Sequence, residues 1–169
     1  MLRYYLVETE LGWIGVAASP AGLRAVTLPV ADAGTALAAL PTPGALEPAA
    51  ASELGDLPER LRRYAAGREV SFQDVRLDPD VGTPFQREVW ATIRRIPWGE
   101  TRSYGWIAGR IGRPWAVRAV GQAVGRNPWP LVVPCHRVVA AGGGLGGFGG
   151  GLALKRRLLA LEGRRALVL

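Results

Sequence analysis

Cys135 and His136 are neighbours, and they are the only cysteine and the only histidine in 169 residues. A thiol beside an imidazole suggests nucleophilic chemistry. A thiolate attacks carbon, and an imidazole that titrates near neutrality can take the thiol's proton. The arginine charge nearby favours the thiolate further. The same residues have plainer uses. A lone buried cysteine is usually a small hydrophobe, and a lone histidine a packed or surface residue. In a strand, consecutive side chains point to opposite faces, so adjacency alone does not make a catalytic pair. One Cys rules out an intrachain disulfide, and one Cys with one His cannot build a Cys/His zinc site, so no metal is expected.

The half of the chain that carries this pair is strongly basic. Residues 1–83 hold 7 basic and 11 acidic side chains, a balance of −4, whereas residues 84–169 hold 14 basic and 3 acidic, a balance of +11. No acidic residue lies between Glu100 and Glu162. That asymmetry points to a polyanionic partner, nucleic acid first and an acidic membrane second, against the plain alternative of a solvated basic face. Arg outnumbers Lys 20 to 1, and Arg reads phosphates and bases the better; genome base composition can produce the same ratio. No apolar run approaches the ~20 residues of a membrane helix. The start, Met1-Leu-Arg-Tyr-Tyr-Leu-Val-Glu, lacks the basic-then-apolar order of a signal peptide. A reducing, cytoplasmic compartment is expected.

The elements that must position the chemistry follow from patterning. Leu2–Val7, Leu11–Ala18 and Leu23–Leu28 read as a small antiparallel meander. A Pro- and Ala-rich stretch follows, with a short helix at Thr35–Leu40, then a helix at Leu57–Gly67. Residues 68–83 read as a polar connection, where the charge balance changes and a domain boundary is expected. Thr83 and Pro84 open a helix running through Arg95, with Phe85, Val89, Trp90 and Ile93 at helical spacing. Ser103 caps Tyr104–Ile111. After the Gly112-Arg113-Pro114 turn, a helix from Trp115 to Gly125 turns Val117, Val120, Gly121 and Val124 inward. Helix, Gly-containing turn, helix is the helix-turn-helix pattern, and its second helix would read DNA. The face opposite the valines carries Arg118 and Gln122 beside the small Ala119, which suits close approach to a nucleic-acid backbone.

Pro134-Cys135-His136-Arg137-Val138-Val139, preceded by Arg118-Ala-Val-Gly121 and Asn127-Pro128, closely resembles the O6-alkylguanine-DNA alkyltransferases. Phe85-Gln86-Arg-Glu-Val89-Trp90, Ile96-Pro97-Trp-Gly99-Glu100-Thr101 and Ser103-Tyr104 upstream carry the resemblance too. So do the glycine-rich Gly142–Gly151, Leu152-Ala-Leu-Lys155 and Leu161-Glu162-Gly163 downstream. The resemblance spans about 80 residues and implies an α+β chain. Residues 1–80 would form a small β-sheet, ribonuclease-H-like domain, and 81–169 a helical winged helix-turn-helix domain.

The activity implied is direct repair. The recognition helix docks in the minor groove of double-stranded DNA, the damaged guanine is flipped out, and its O6-alkyl group passes to the cysteine in one turnover. O4-alkylthymine is a second candidate substrate. Flipping has a physical reason, since a stacked base cannot present its alkyl carbon for in-line attack. By resemblance Cys135 is the nucleophile, His136 the base acting through water, and Glu162 the carboxylate that orients it. Asn127 ties the helix-turn-helix to the active-site loop, and Tyr104 donates to the guanine ring. Arg118 is the finger that fills the vacated stack. Ser103 and Tyr104 lie by the phosphate, and Ala119, Gly121 and Gln122 line the reading helix. The pocket comprises Cys135, Val138, Phe148, Gly149, Trp129 and Pro130, with the carbonyls of Cys135 and Val138 accepting from the exocyclic amine and the Gly149 N–H donating to O6.

No cofactor is implied. The expected state is a monomer, open to cooperative loading on DNA, associated with the nucleoid and not with membrane. Three departures stand out: Phe148 replaces the common Tyr, Gly149 the common Ser, and bulky Trp129 adjoins the pocket. The alternative of another class is an alkyltransferase-like protein that binds alkylated DNA and signals without transfer. Such proteins lack the nucleophile, which is present here. A regulator reading the major groove and a thiol hydrolase fit less of the pattern.

Overall fold

The computed structural model describes residues 1–41 and 45–163. Residues 42–44 and 164–169, the latter the end of the expected second domain, lie outside the described residues. The chain divides into two compact units, Met1–Val81 and the residues from Gly82 onward.

In the first unit β1 (Leu2–Thr9), β2 (Gly12–Ser19) and β3 (Gly22–Val26) form the antiparallel meander that their Tyr- and Val-rich runs predict. A fourth strand, β4 (Leu46–Pro48), pairs parallel to β1 and completes the order β3-β2-β1-β4. Three residues ending in proline are too few for alternation to show, which is why this stretch reads as loop in the sequence. Ile14 to Ala17 are buried in succession, so β2 is covered on both faces. α1 (Ala33–Ala39) covers one of them: Leu40 packs with Ala17 and Ala25, and a Cβ on Gly15 would lie 3.1 Å from the Ala36 carbonyl. α1 starts two residues before the expected Thr35, because the Asp32 carboxylate caps it by accepting from the Thr35 N–H at 2.8 Å. α2 (Leu57–Ala65) packs on β1 through Leu57, Leu61, Tyr64 and Ala65, one helical stripe. The connection after it is not loose. Asp78 is 3% exposed and accepts from Ser19 Oγ at 2.7 Å and Arg24 Nη1 at 3.2 Å. Those partners are what allow a carboxylate to be buried.

The second unit begins with a tight fit. Gly82 has φ +84°, and a Cβ there would come within 2.3 Å of the Trp90 ring. α3 (Pro84–Ile93) carries the cap its sequence predicts: Thr83 Oγ1 accepts from Gln86 N–H, and the Gln86 side chain accepts from Thr83 N–H. Its buried stripe is Val89, Trp90 and Ile93. The Trp90 indole donates to the Ala123 carbonyl at 2.8 Å and thereby ties α3 to α5 (Val117–Gly125). α4 (Tyr104–Arg110) is capped by Ser103 Oγ, which accepts from Trp106 N–H. α4 and α5 pack on each other and both on α3. α5 starts later than Trp115, and Val117 is 42% exposed instead of inward. The buried stripe is Val120, Ala123 and Val124, one turn further on, so Val117 precedes the helix–helix contact.

Two further strands lie below the reach of periodicity. β5 (Arg102–Ser103) pairs parallel with β6 (Val138–Val139), in the register Arg102↔Val138 and Ser103↔Val139. The cap of α4 is thus in register with the strand just after Cys135. α6 (Leu152–Leu161) closes the unit with Lys155, Leu158 and Leu159 buried. Among the described residues no helix is long and apolar enough to cross a membrane.

Candidate active site around Cys135

The loop leading to the cysteine is held by one side chain. Asn127 Nδ2 donates to the Val133 carbonyl at 2.8 Å, and its Oδ1 accepts from Trp129 N–H at 3.0 Å. The turn it spans forces Leu131 to φ +74°, the one described non-glycine residue with positive φ. That strain costs on the order of 1–3 kcal/mol and persists only where surroundings over-determine it. Here Leu131 is 1% exposed and the Val133 N–H is bonded to the Trp129 carbonyl at 2.8 Å.

Cys135 and His136 lie in a 3₁₀ turn, Cys135–Arg137, and not in a strand. The opposite-face objection to a Cys–His pair therefore does not apply. Cys135 is 7% exposed and His136 fully buried. Burial pushes the thiol above its ordinary value. Asn127, the Lys155 charge and the backbone N–H groups of Cys135 and His136 pull it down without overcoming burial. The expectation of a readily ionised sulfur is thus corrected: the resting group is a neutral thiol. Arg137, the cation two residues on in sequence, is committed elsewhere.

Its partner is Glu162. The carboxylate accepts from Arg137 Nε at 2.8 Å and Nη2 at 3.1 Å, and from the Gly99 N–H at 3.3 Å, while His136 Nε2 lies 2.7 Å from Oε2. Arg137 Nη1 donates to the Ile96 carbonyl at 2.6 Å. The Ile96-Pro97-Trp98-Gly99 segment therefore wraps this buried centre. Burial pushes the Glu162 carboxyl up, but His136 and Arg137 outweigh it and hold it at about 2. Glu162 also caps the C-terminus of α6, where a negative charge is unfavourable by up to ~1 kcal/mol. Charge-assisted bonds at about 1.5–3 kcal/mol each outweigh that penalty.

The ionised carboxylate assigns the histidine tautomer. A carboxylate only accepts, so Nε2 carries the hydrogen and Nδ1 is the basic nitrogen. Burial holds the imidazole below its usual value, with Glu162 opposing, so the ring rests neutral and able to take a proton.

Lys155 is the residue the sequence reading did not single out. It is fully buried, and its ammonium donates to the carbonyls of Val138 at 2.6 Å, Leu145 at 2.5 Å and Gly147 at 3.1 Å. It thus pins the glycine-rich loop to β6. Burial brings it down to about 8, with the Cys135 charge acting upward. It lies 6.0 Å from the Tyr104 ring centre and 5.9 Å from that of Phe148. The available signal was its type: the only lysine among 21 basic residues.

Tyr104 is half-buried at the start of α4, under the loop: a Cβ on Gly146, which has φ +69°, would meet the Tyr104 ring at 2.9 Å. Its hydroxyl is 3.5 Å from the Gly147 carbonyl, and burial, with the Cys135 charge, raises it, so the phenol keeps its proton. Val138 and Pro130 are buried, Phe148 is half-buried and Gly149 exposed. Both carbonyls expected to select guanine already accept one bond, Val138 from Lys155 and Cys135 from the Val138 N–H. Each retains a second lone pair. Trp129 is corrected: it is 3% exposed and stacks edge-on against Trp90 at 5.4 Å, so its bulk fills the core. Arg118, Ala119 and Gln122 are exposed on α5, whereas Gly121 faces Tyr104. Ser103 is half-buried in its capping role. Among the described residues no cluster of His, Cys, Asp and Glu could hold a metal ion.

Comparison with known proteins places this arrangement. The family described as 6-O-methylguanine DNA methyltransferase, DNA binding domain, matches residues 84–164. A methylated-DNA–protein-cysteine methyltransferase of Mycolicibacterium paratuberculosis is 56% identical over 108 residues, and the match covers 64% of each chain. The corresponding protein of Mycobacterium leprae is 48% identical over 125 residues, covering 69% of this chain and 74% of that one. The fold superposes on a crystal structure of Mycobacterium tuberculosis OGT in complex with DNA, with TM-score 0.81 and 39% identity over 95% of this chain and 93% of that one.

Proposed function

The chain belongs to the O6-methylguanine DNA methyltransferase family, and on that premise we propose that it repairs alkylated DNA by taking the alkyl group onto Cys135. The observation that carries the reading is the Glu162–His136 contact of 2.7 Å, which fixes Nδ1 as a neutral base one residue from a buried thiol. The helix-turn-helix of α4 and α5 docks in the minor groove of double-stranded DNA, as a monomer. Arg118 fills the place of the extruded O6-alkylguanine. The guanine's exocyclic amine is held by the second lone pairs of the Cys135 and Val138 carbonyls, and its O6 by the Gly149 N–H.

The buried thiol is neutral at rest, so its proton leaves only as the reaction begins. It passes through water to His136 Nδ1, and Glu162 stabilises the imidazolium. Sulfur then attacks the alkyl carbon in line: the S–C bond forms, the C–O bond breaks, and the electron pair goes to the purine. Tyr104, still protonated, donates to the ring nitrogen that gains the charge. The thioether has no route back to thiol, which makes the reaction stoichiometric. O4-alkylthymine presents the same alkyl-on-oxygen geometry and is a second substrate.

The test is the intact mass of the protein after incubation with a duplex containing O6-methylguanine. A methyl-sized increase is expected. An unchanged mass with tight binding overturns the reading in favour of a damage-binding protein that does not transfer.

A further inference from the structure

Trp115 is 78% exposed and has no described hydrogen bond or ring contact, although Trp is among the residues that burial stabilises most. It is not part of the unit's core, where Trp90 and Trp129 lie. Three of the five large exposed apolar side chains among the described residues, Trp106, Trp115 and Val117, fall within the helix-turn-helix. Trp106 is already flanked by cations, with Arg102 at 5.3 Å and Arg110 at 6.0 Å from its ring. Trp115 has no such cover.

Its position gives it a direction. Ala116, the cap between it and α5, has φ −90° and ψ +29°, outside the helical region, so Trp115 lies in the turn that leads into α5, three residues before Arg118. Within α5, Arg118, Ala119 and Gln122 stand at i, i+1 and i+4, on one side of the helix. Arg118, Ala119 and Gln122 are exposed, and the opposite stripe, Val120, Ala123 and Val124, is buried. The indole therefore stands exposed at the N-terminal end of the helix whose exposed face is proposed to meet DNA. The neighbouring charges suit a polyanion, since no acidic residue occurs between Glu100 and Glu162.

We propose that Trp115 is a DNA-contacting side chain that lays its ring on deoxyribose at the edge of the groove Arg118 enters and offers its Nε1–H to a phosphate oxygen. This rests on the reading that the helix-turn-helix binds DNA. It adds an aromatic contact to a helix whose exposed face otherwise carries Arg118, Ala119 and Gln122. Sugar and phosphate contacts position a protein without reading sequence, which suits a repair protein that must work at any site.

The experiment is binding of an unmodified duplex, followed by fluorescence anisotropy across a salt series, for wild type, Trp115→Ala and Trp115→Phe. Trp115→Ala is expected to weaken binding about ten-fold at every salt concentration, the scale of losing one aromatic contact to nucleic acid. The dependence of log K on log salt should keep its slope, because no charge is removed. Trp115→Phe should retain most of the affinity. Thermal melting checks that both variants fold. Wild-type binding matched by Trp115→Ala overturns this proposal alone, and a change of salt slope overturns the non-ionic contact. A wild type without affinity for DNA overturns the underlying reading. A wild-type dimer, seen by light scattering and dissolved by Trp115→Ala with DNA affinity unchanged, would assign the indole to self-association instead.

Discussion

Replacing Glu162 by Gln, at nearly the same shape, removes one charge from the buried centre and turns one acceptor oxygen into an NH2 group that faces donors. Glu162 is 4% exposed, and its carboxyl is held at about 2 against an ordinary 4.5. At ~1.4 kcal/mol per pKa unit, that depression corresponds to about 3 kcal/mol of stability at neutral pH. Breaking a buried pair from one side costs ~3–5 kcal/mol by an independent route, since Arg137 would be left uncompensated. The two figures agree. The sign with pH follows. A folded-state pKa below the unfolded one contributes stability that is fully present above about 4.5 and is lost as pH falls toward about 2. Urea unfolding of wild type and Glu162→Gln should therefore differ by about 3 kcal/mol at pH 7, with the gap shrinking at pH 3. Transfer to a duplex substrate should fall ~100-fold or more, because the imidazole loses both its tautomer lock and its counter-charge. Equal unfolding free energies at pH 7, or an unchanged transfer rate, would refute the reasoning.

Other perturbations probe separate parts. Lys155→Met releases three carbonyls while removing a desolvated ammonium, so stability should move by only ~1–2 kcal/mol, the two effects opposing. The 141–151 loop should nevertheless become more sensitive to protease, and transfer should drop at least ~10-fold. Because burial holds Lys155 at about 8, below its ordinary 10.5, the closed loop binds fewer protons than an open one, so the wild-type loop should become less sensitive to protease as pH rises from about 8 toward 10. Gly146→Ala puts a methyl 2.9 Å from the Tyr104 ring at φ +69° and should slow transfer while leaving duplex binding intact, as read by rapid-quench and anisotropy measurements. Arg118→Ala should slow repair of duplex substrate more than it weakens overall affinity. Unchanged duplex repair would remove the finger role.

Where local chemistry sets local structure, the sequence was a sufficient guide. Thr83-Pro84 with Gln86 and Ser103 before Tyr104 carry their own caps, and α3 and α4 start where these residues predict. The meander was legible from its strands and turns. What escaped depends on tertiary partners. β4, β5 and β6 are two or three residues long, and a strand that short exists only because a neighbour pairs with it. Val117 fits the periodicity of an inward residue, yet the helix it would pack against lies one turn further along. Cys135, His136 and Glu162 were legible by type and by resemblance. Their electrostatics were not, since the arginine expected to favour the thiolate is bonded to Glu162, and burial raises the sulfur. Lys155 was visible only as an odd choice of residue in an arginine-rich chain, and its role needed the three carbonyls around it.

The central claim is that one sulfur captures the alkyl group and keeps it. Titration with excess O6-methylguanine duplex, with guanine repair and the digested protein both followed, measures this directly. The account predicts a plateau of one repaired base per protein molecule, with the methyl group on the peptide containing Cys135 and no reaction in Cys135→Ser despite retained DNA binding. Continued turnover, or a methyl group on any other residue, would contradict it.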